Sequence, residues 1–254
     1  MNRNMLFVLL KNEIAEQFRS RKLIVVIVVF FIFGLLSPIT AMFMPDIISS
    51  VSESQNIKIE VPPPTWTDAV VQYIKNMTQI ITFVLIIVYM GIVAREKENG
   101  ILVFLLVKPV KRTAIILSKY ISVLLVATTA ILVSFVVSAF YTILFFDGFV
   151  IQDFLLQNLF ILFNIISTLF IVVLFSSVFK SQIVAGILSF VAYLLISLTS
   201  QLDRVSEYLP SGLIAQCNNI MQGEDLSFIP IVGSIVFMIL CVVISIISFR
   251  KWEA

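Results

Sequence analysis

Histidine is absent from this sequence of 254 residues, cysteine occurs twice, and Asp, Glu, Lys and Arg together supply only 13% of it. The first absence removes imidazole zinc sites, Ser-His and Cys-His catalytic pairs and the HExxH protease signature together. The two cysteines define no redox class. Cys241 lies more than ten residues into an apolar run that begins near Pro230, roughly 16 Å along a helix. A bridge to the loop residue Cys217 needs Cα atoms within about 7 Å, so no disulfide is expected. A net charge of +2 leaves no electrostatic footprint for nucleic acid. Neither Gly91 nor Gly100 is followed by the Gly-Lys-Ser/Thr ending of a phosphate-cradling loop, so the chain carries no nucleotide site of its own.

Apolar residues are plentiful instead. They make up 60% of the chain, and the mean hydropathy of +1.09 is more than a water-soluble fold can hide. Six uncharged runs stand out: 23–45, 76–94, 120–146, 154–179, 181–202 and 226–249. Each is long enough to cross a hydrocarbon core of about 30 Å, which takes about 20 helical residues. Backbone amides must be paired in lipid, so an all-α integral membrane protein of six transmembrane helices is predicted, one domain over 1–254. A β-barrel would show alternating runs of about ten residues, which are missing. Basic residues before the first run, at Arg19, Arg21 and Lys22, mark it as a retained anchor.

The basic residues also predict orientation. With both termini in the cytoplasm of a multi-pass cell-membrane protein, 14 of the 17 Lys and Arg residues lie inside. The outer loops are then 46–75, with Pro62, Pro63 and Pro64 followed by Trp66 and Tyr73 as interfacial aromatics, and 203–225, whose stretch from Leu213 to Met221 is either re-entrant or surface-lying. All 32 charges fall outside the six runs, so an ion-coupled relay within the membrane is not expected.

Two inner segments suit a partner. Over 4–19, Phe7, Leu10, Ile14 and Phe18 recur at helical spacing, with Lys11, Glu13, Glu16 and Gln17 on the other face: an amphipathic helix for the bilayer surface, or a plain lead-in helix. The loop 95–119 opens with Arg95, Glu96, Lys97 and Glu98, breaks at Gly100, continues as a short apolar helix through Leu105 and Leu106, and stops at Pro109 before a basic turn with Arg112. Such a helix can seat in a groove on a soluble protein; it can also serve only as a positive-inside anchor.

At these residues the chain resembles the permease subunits of the type-2 ABC exporter superfamily. Leu10 to Glu13 and Phe18 to Lys22, with Glu13, Phe18 and Arg19, resemble that family's elbow helix. Glu98, Gly100, Leu105, Leu106, Pro109, Val110, Arg112 and Lys119 resemble its coupling loop, and Glu96 beside them is expected in the same coupling contact. The resemblance implies that two permease subunits, identical or related, form a pathway in the lipid bilayer. It also implies two separate ABC ATPase subunits that bind ATP and Mg and dock under 95–119, while this chain binds no cofactor and catalyses nothing. An amphipathic or hydrophobic cargo such as a peptide or antibiotic is the expectation. A non-transporting anchor or scaffold, or a stand-alone channel or carrier, is the alternative.

Small residues stripe two spans. Ala130, Ser134, Ser138 and Thr142 line one face of the third, and Ser181, Ala185 and Ser189 one face of the fifth. Both stripes suit packing within one subunit; the second is also the expected place for a dimer interface. Asn164 is expected in an interhelical hydrogen bond, and the Asn76-Met77-Thr78 sequon is taken as accidental.

Overall fold

The computed structural model describes residues 3–54, 62–102 and 111–251, and among these every regular element is helical. Six helical segments are long and apolar enough to cross a membrane: Lys22–Ser49, Trp66–Glu98, Arg112–Phe145, Ile151–Val178, Gln182–Gln201 and Ile229–Lys251, spans 1 to 6. The elements are α1 (Arg3–Arg19), α2 (Lys22–Ser54), α3 (Trp66–Lys75), a π-helical stretch Asn76–Ile81, α4 (Thr82–Tyr89) and α5 (Ala94–Glu98). They continue as α6 (Arg112–Phe145), α7 (Ile151–Val178), α8 (Gln182–Leu198), α9 (Asp203–Ser206), α10 (Gly212–Gln222) and α11 (Ile229–Lys251).

The helices overrun the uncharged runs. Helix α2 passes Pro38 and Pro45 and continues to Ser54, and span 2 starts at Trp66, so much of 46–75 is helix rather than an outer surface loop. The Thr65 N–H donates to the Asp68 carboxylate at 2.8 Å, a cap that starts the helix. Tyr73 then faces inward, fully buried, instead of sitting at an interface: its hydroxyl donates to Asn158 Oδ1 at 2.6 Å and accepts from Ser134 Oγ at 3.2 Å. Span 3 likewise begins at Arg112, which converts the last eight residues of the loop predicted over 95–119 into helix.

Span 4 is the hub. Its apolar stretch is 72% buried, whereas those of spans 5 and 6 are 17% and 22% buried and turn most of their surface outward. Spans 1 and 3 approach closely where Gly34 meets the stripe residue Ser134; a Cβ at Gly34 would lie 2.9 Å from the Ser134 carbonyl oxygen. Ala130, Ser134, Ser138 and Thr142 are all buried, so that stripe is intrachain packing. Asn76 is buried with Nδ2 donating to Ser37 Oγ at 2.9 Å, and Tyr120 ties span 3 to Ser245 Oγ of span 6 at 2.6 Å. Both cysteines are free and buried.

At the end of the bundle away from the termini, the segment 206–222 turns into the protein. The Pro210 carbonyl accepts from Asn164 Nδ2 at 3.2 Å. Asn164 lies thirteen residues beyond Ile151, about 20 Å along span 4. The packing agrees with the re-entrant of the two forms expected for this loop: Leu213 and Cys217 are fully buried, and Gln157 Nε2 donates to the Cys217 carbonyl at 3.1 Å. Irregular backbone at that depth is tolerable because protein, not lipid, surrounds it.

Candidate functional site

The opposite end, where α1 and the end of span 6 lie, holds a buried ion cluster. Lys119, on the first turns of α6, is 1% exposed; its Nζ meets Glu13 Oε1 of α1 at 2.9 Å and makes a short contact with Glu96 Oε1 of α5. Three separate elements therefore converge on one ammonium. Glu16 adds a third carboxylate beside Glu13 and Glu96, and these border a cavity of about 130 Å³ closed by Leu9, Leu102 and Ile115.

A break in span 2 makes the convergence possible. Helical geometry lapses over 90–93 and resumes at Ala94, and the freed N–H groups of Val93 and Ala94 both donate to Ser176 Oγ of span 4, each at 2.9 Å. In a dry interior those donors need such a partner. Lys97 is buried on the same turn, donating to the Ser177 carbonyl with its Nζ 5.6 Å from the Phe249 ring centroid. Glu96 is thus aimed at Lys119 while Glu98 remains exposed. The helix ends at Gly100, whose φ of +70° is a left-handed conformation that glycine adopts without a Cβ penalty.

The expected amphipathic face of α1 needs correction. Phe7 and Phe18 are 68% and 55% exposed, as a lipid-facing stripe would be. Glu13 and Gln17, read as its watery face, instead turn toward the bundle: Gln17 is buried and accepts from the Tyr89 hydroxyl at 3.3 Å. Arg19 is exposed. Arg112 is half-buried and donates to the Arg250 carbonyl at 2.9 Å, capping the end of α11. Leu105, Leu106 and Pro109 lie outside the described residues.

The fifth-span stripe is also corrected. Ala185 and Ser189 are completely buried inside this chain, Ser189 Oγ donating to the Ala185 carbonyl at 2.6 Å, and Ser181 is half-buried. Beside them a Cβ at Gly186 would lie 2.8 Å from Met90 Sδ. The close approach that small residues permit is used here between spans 2 and 5, not offered to a second subunit; α8 turns Ile187, Leu195 and Leu198 outward.

One ammonium neutralises one carboxylate, and a second buried carboxylate is then better protonated. Burial raises the Glu13 pKa to about 7; Lys119 opposes the rise and Glu96 adds to it. Because the folded value lies above the unfolded one, this contribution to stability is present below about pH 4.5 and is lost as pH rises through about 7. Glu13→Gln, which keeps an acceptor for Lys119, should therefore flatten the pH dependence of thermal unfolding between about pH 4.5 and pH 7. An unchanged slope would remove Glu13 as its source.

The family model described as "ABC-2 family transporter protein" matches residues 7–207, covering the N-terminal helix, the ion cluster and the first five spans. An uncharacterized transmembrane protein of Bacillus subtilis (strain 168), YxlG, is 25% identical over 257 residues, covering 97% of each chain.

Proposed function

The chain belongs to the ABC-2 transporter family, and we propose that it is the pathway-forming permease subunit of an ATP-driven exporter. In this reading two permease subunits, identical or related, enclose the route. Two separate ATPase subunits, holding ATP and Mg, dock beneath 95–119. Both termini and this segment are cytoplasmic, as the excess of basic residues there supports. The cargo is amphipathic or hydrophobic, in keeping with uncharged stretches over 120–146, 154–179 and 181–202.

The observation that carries this reading is the cluster at Lys119. A partner can move the pathway only through physical contact. Here the turn bearing Glu96 is clamped to span 3 by Lys119, through Lys119 to Glu13 of α1, and to span 4 through Ser176, so a push on the neighbouring segment reaches three other elements at once. A free loop would dissipate it. The test is to exchange Glu98, or Leu105 with Leu106, for alanine and to measure ATPase association and stimulated hydrolysis in the intact complex. Both are expected to fall while the chain remains folded and inserted. Variants that transport normally at normal expression would make this segment an anchor only, and a chain that retains no ATPase at all would favour a scaffold.

A further inference from the structure

A second cavity, of about 370 Å³, opens at the far end of the bundle between spans 2, 4 and 5 and the re-entrant segment. Its floor is buried: Asn164, Ser167 and Thr168 of span 4 are 6%, 1% and 2% exposed. Its rim is polar and exposed, with Gln79, Ser197, Ser200 and Asn218. No charged residue lines it.

The hydrogen bonding of the lining has a direction. Each of four hydroxyls already donates its proton to a backbone carbonyl: Ser167 to Phe163 at 2.8 Å, Thr168 to Asn164 at 3.1 Å, Thr78 to Ile74 at 2.8 Å, and Tyr193 to Thr78 at 2.6 Å. What these groups can still offer the cavity is lone pairs. Asn164 agrees: its Nδ2 is fixed on the Pro210 carbonyl, which rules out the flipped amide, and its Oδ1 is the buried side-chain polar atom left without a partner among the described residues. A buried acceptor with no donor is destabilising, and a ligand that supplies the donor relieves the loss. The wall that carries Thr78 is the π-helical stretch Asn76–Ile81, a widened turn of the kind that recurs at functional sites. The floor is therefore rich in acceptors and poor in donors, and it lies beside the apolar side chains of Ile171, Ile196 and Ile214.

We infer that this cavity binds the hydrogen-bond-donating headgroup, amine or hydroxyl, of an amphipathic molecule, with Asn164 Oδ1 as its central acceptor. This names the group recognised in the proposed cargo and rests on that reading only for calling the occupant cargo; the binding itself needs neither ATPase nor nucleotide.

The experiment uses the full chain in nanodiscs without any ATPase, so its result does not depend on whether the exporter reading holds. Asn218→Cys at the rim, in a background with Cys217→Ala and Cys241→Ala, is labelled with N-ethylmaleimide, and protection is measured with matched pairs of amphiphiles. Dodecylammonium is compared with dodecyltrimethylammonium, equal in charge but without donors, and monolauroylglycerol with its dimethyl ether. In at least one pair the donor member should protect at a concentration at least about tenfold lower, and the pair that shows it identifies amine or hydroxyl as the source. Asn164→Leu should abolish the preference. Thr168→Val, which removes an acceptor with little change of shape, should weaken it, and so keeps the test open where Asn164→Leu fails to insert. Equal protection within both pairs, protection by none, or a preference intact in both variants would overturn the assignment.

Discussion

Lys119→Met is expected to lower the thermal stability of the purified chain more than any single exchange at its carboxylate partners. Lys119 is 1% exposed and the side chains it meets, Glu13 and Glu96, are 14% and 16% exposed, so water cannot replace the lost cation. Removing one member of a buried ion pair leaves an uncompensated charge and is destabilising by about 3–5 kcal/mol. The effect should depend on pH in a definite sense. Burial already raises both carboxyls, and without the ammonium that opposes the rise they hold their protons to higher pH, so the loss should deepen as the pH rises and ionisation of the pair is forced without a cation.

A combined variant separates electrostatics from packing. Lys119→Met together with Glu13→Gln and Glu96→Gln buries no net charge, and replacing a buried ionic set as a whole is often close to neutral. It should recover a large share of the stability but not all of it, because neutral groups hold α1, α5 and α6 together less tightly. Unfolding of the seven single, double and triple variants in detergent checks this. Losses that simply add would show three independent side chains and no cluster.

The same residues show how far the sequence could be read. Hydropathy was enough for six helices, since length and apolarity are local properties. It misplaced their ends because charges were taken as loop markers. Asp68 and Lys75 lie on an outward side of α3 while Ala69, Val70, Tyr73 and Ile74 pack inward, so a charged residue there interrupts nothing. The pairing of Thr65 with Asp68, three residues apart, was a legible helix start that the uncharged-run criterion passed over. Glu13 and Lys119 were visible as residues resembling a family pattern and Glu96 as a charge of the same loop, but their meeting is a contact over 23 residues or more and follows from the break at 90–93. That break is stabilised by Ser176, on another span, and no local signal links the two. The acceptor-only floor of the second cavity was hidden for the same reason: whether a serine or threonine proton is free depends on its rotamer, not on its spacing.

The re-entrant segment supplies the second large effect. A Cβ added to Gly233 of span 6 would lie 2.2 Å from the Tyr208 carbonyl oxygen and 2.7 Å from its carbon, and both are backbone atoms that no side-chain rotation can clear. Gly233→Ala should therefore push 206–222 away from span 6, at a loss of about 1–3 kcal/mol or more for an overpacked interior. Gly223→Ala is the control. Gly223 closes α10 at φ +70° with nothing within 4 Å of a new Cβ, so the change brings backbone strain of about 1–2 kcal/mol but no collision. Cys217 reports the difference: it is fully buried, its Sγ contacts the Gln157 carbonyl oxygen at 3.6 Å, and burial pushes its thiol up to about 12, which leaves almost no reactive thiolate. In a Cys241→Ala background, N-ethylmaleimide should label Cys217 readily in Gly233→Ala and scarcely in Gly223→Ala or the parent. Slow labelling in all three would mean that the segment is held by its contacts with span 4, through Asn164 and Gln157, and that the approach to span 6 contributes little.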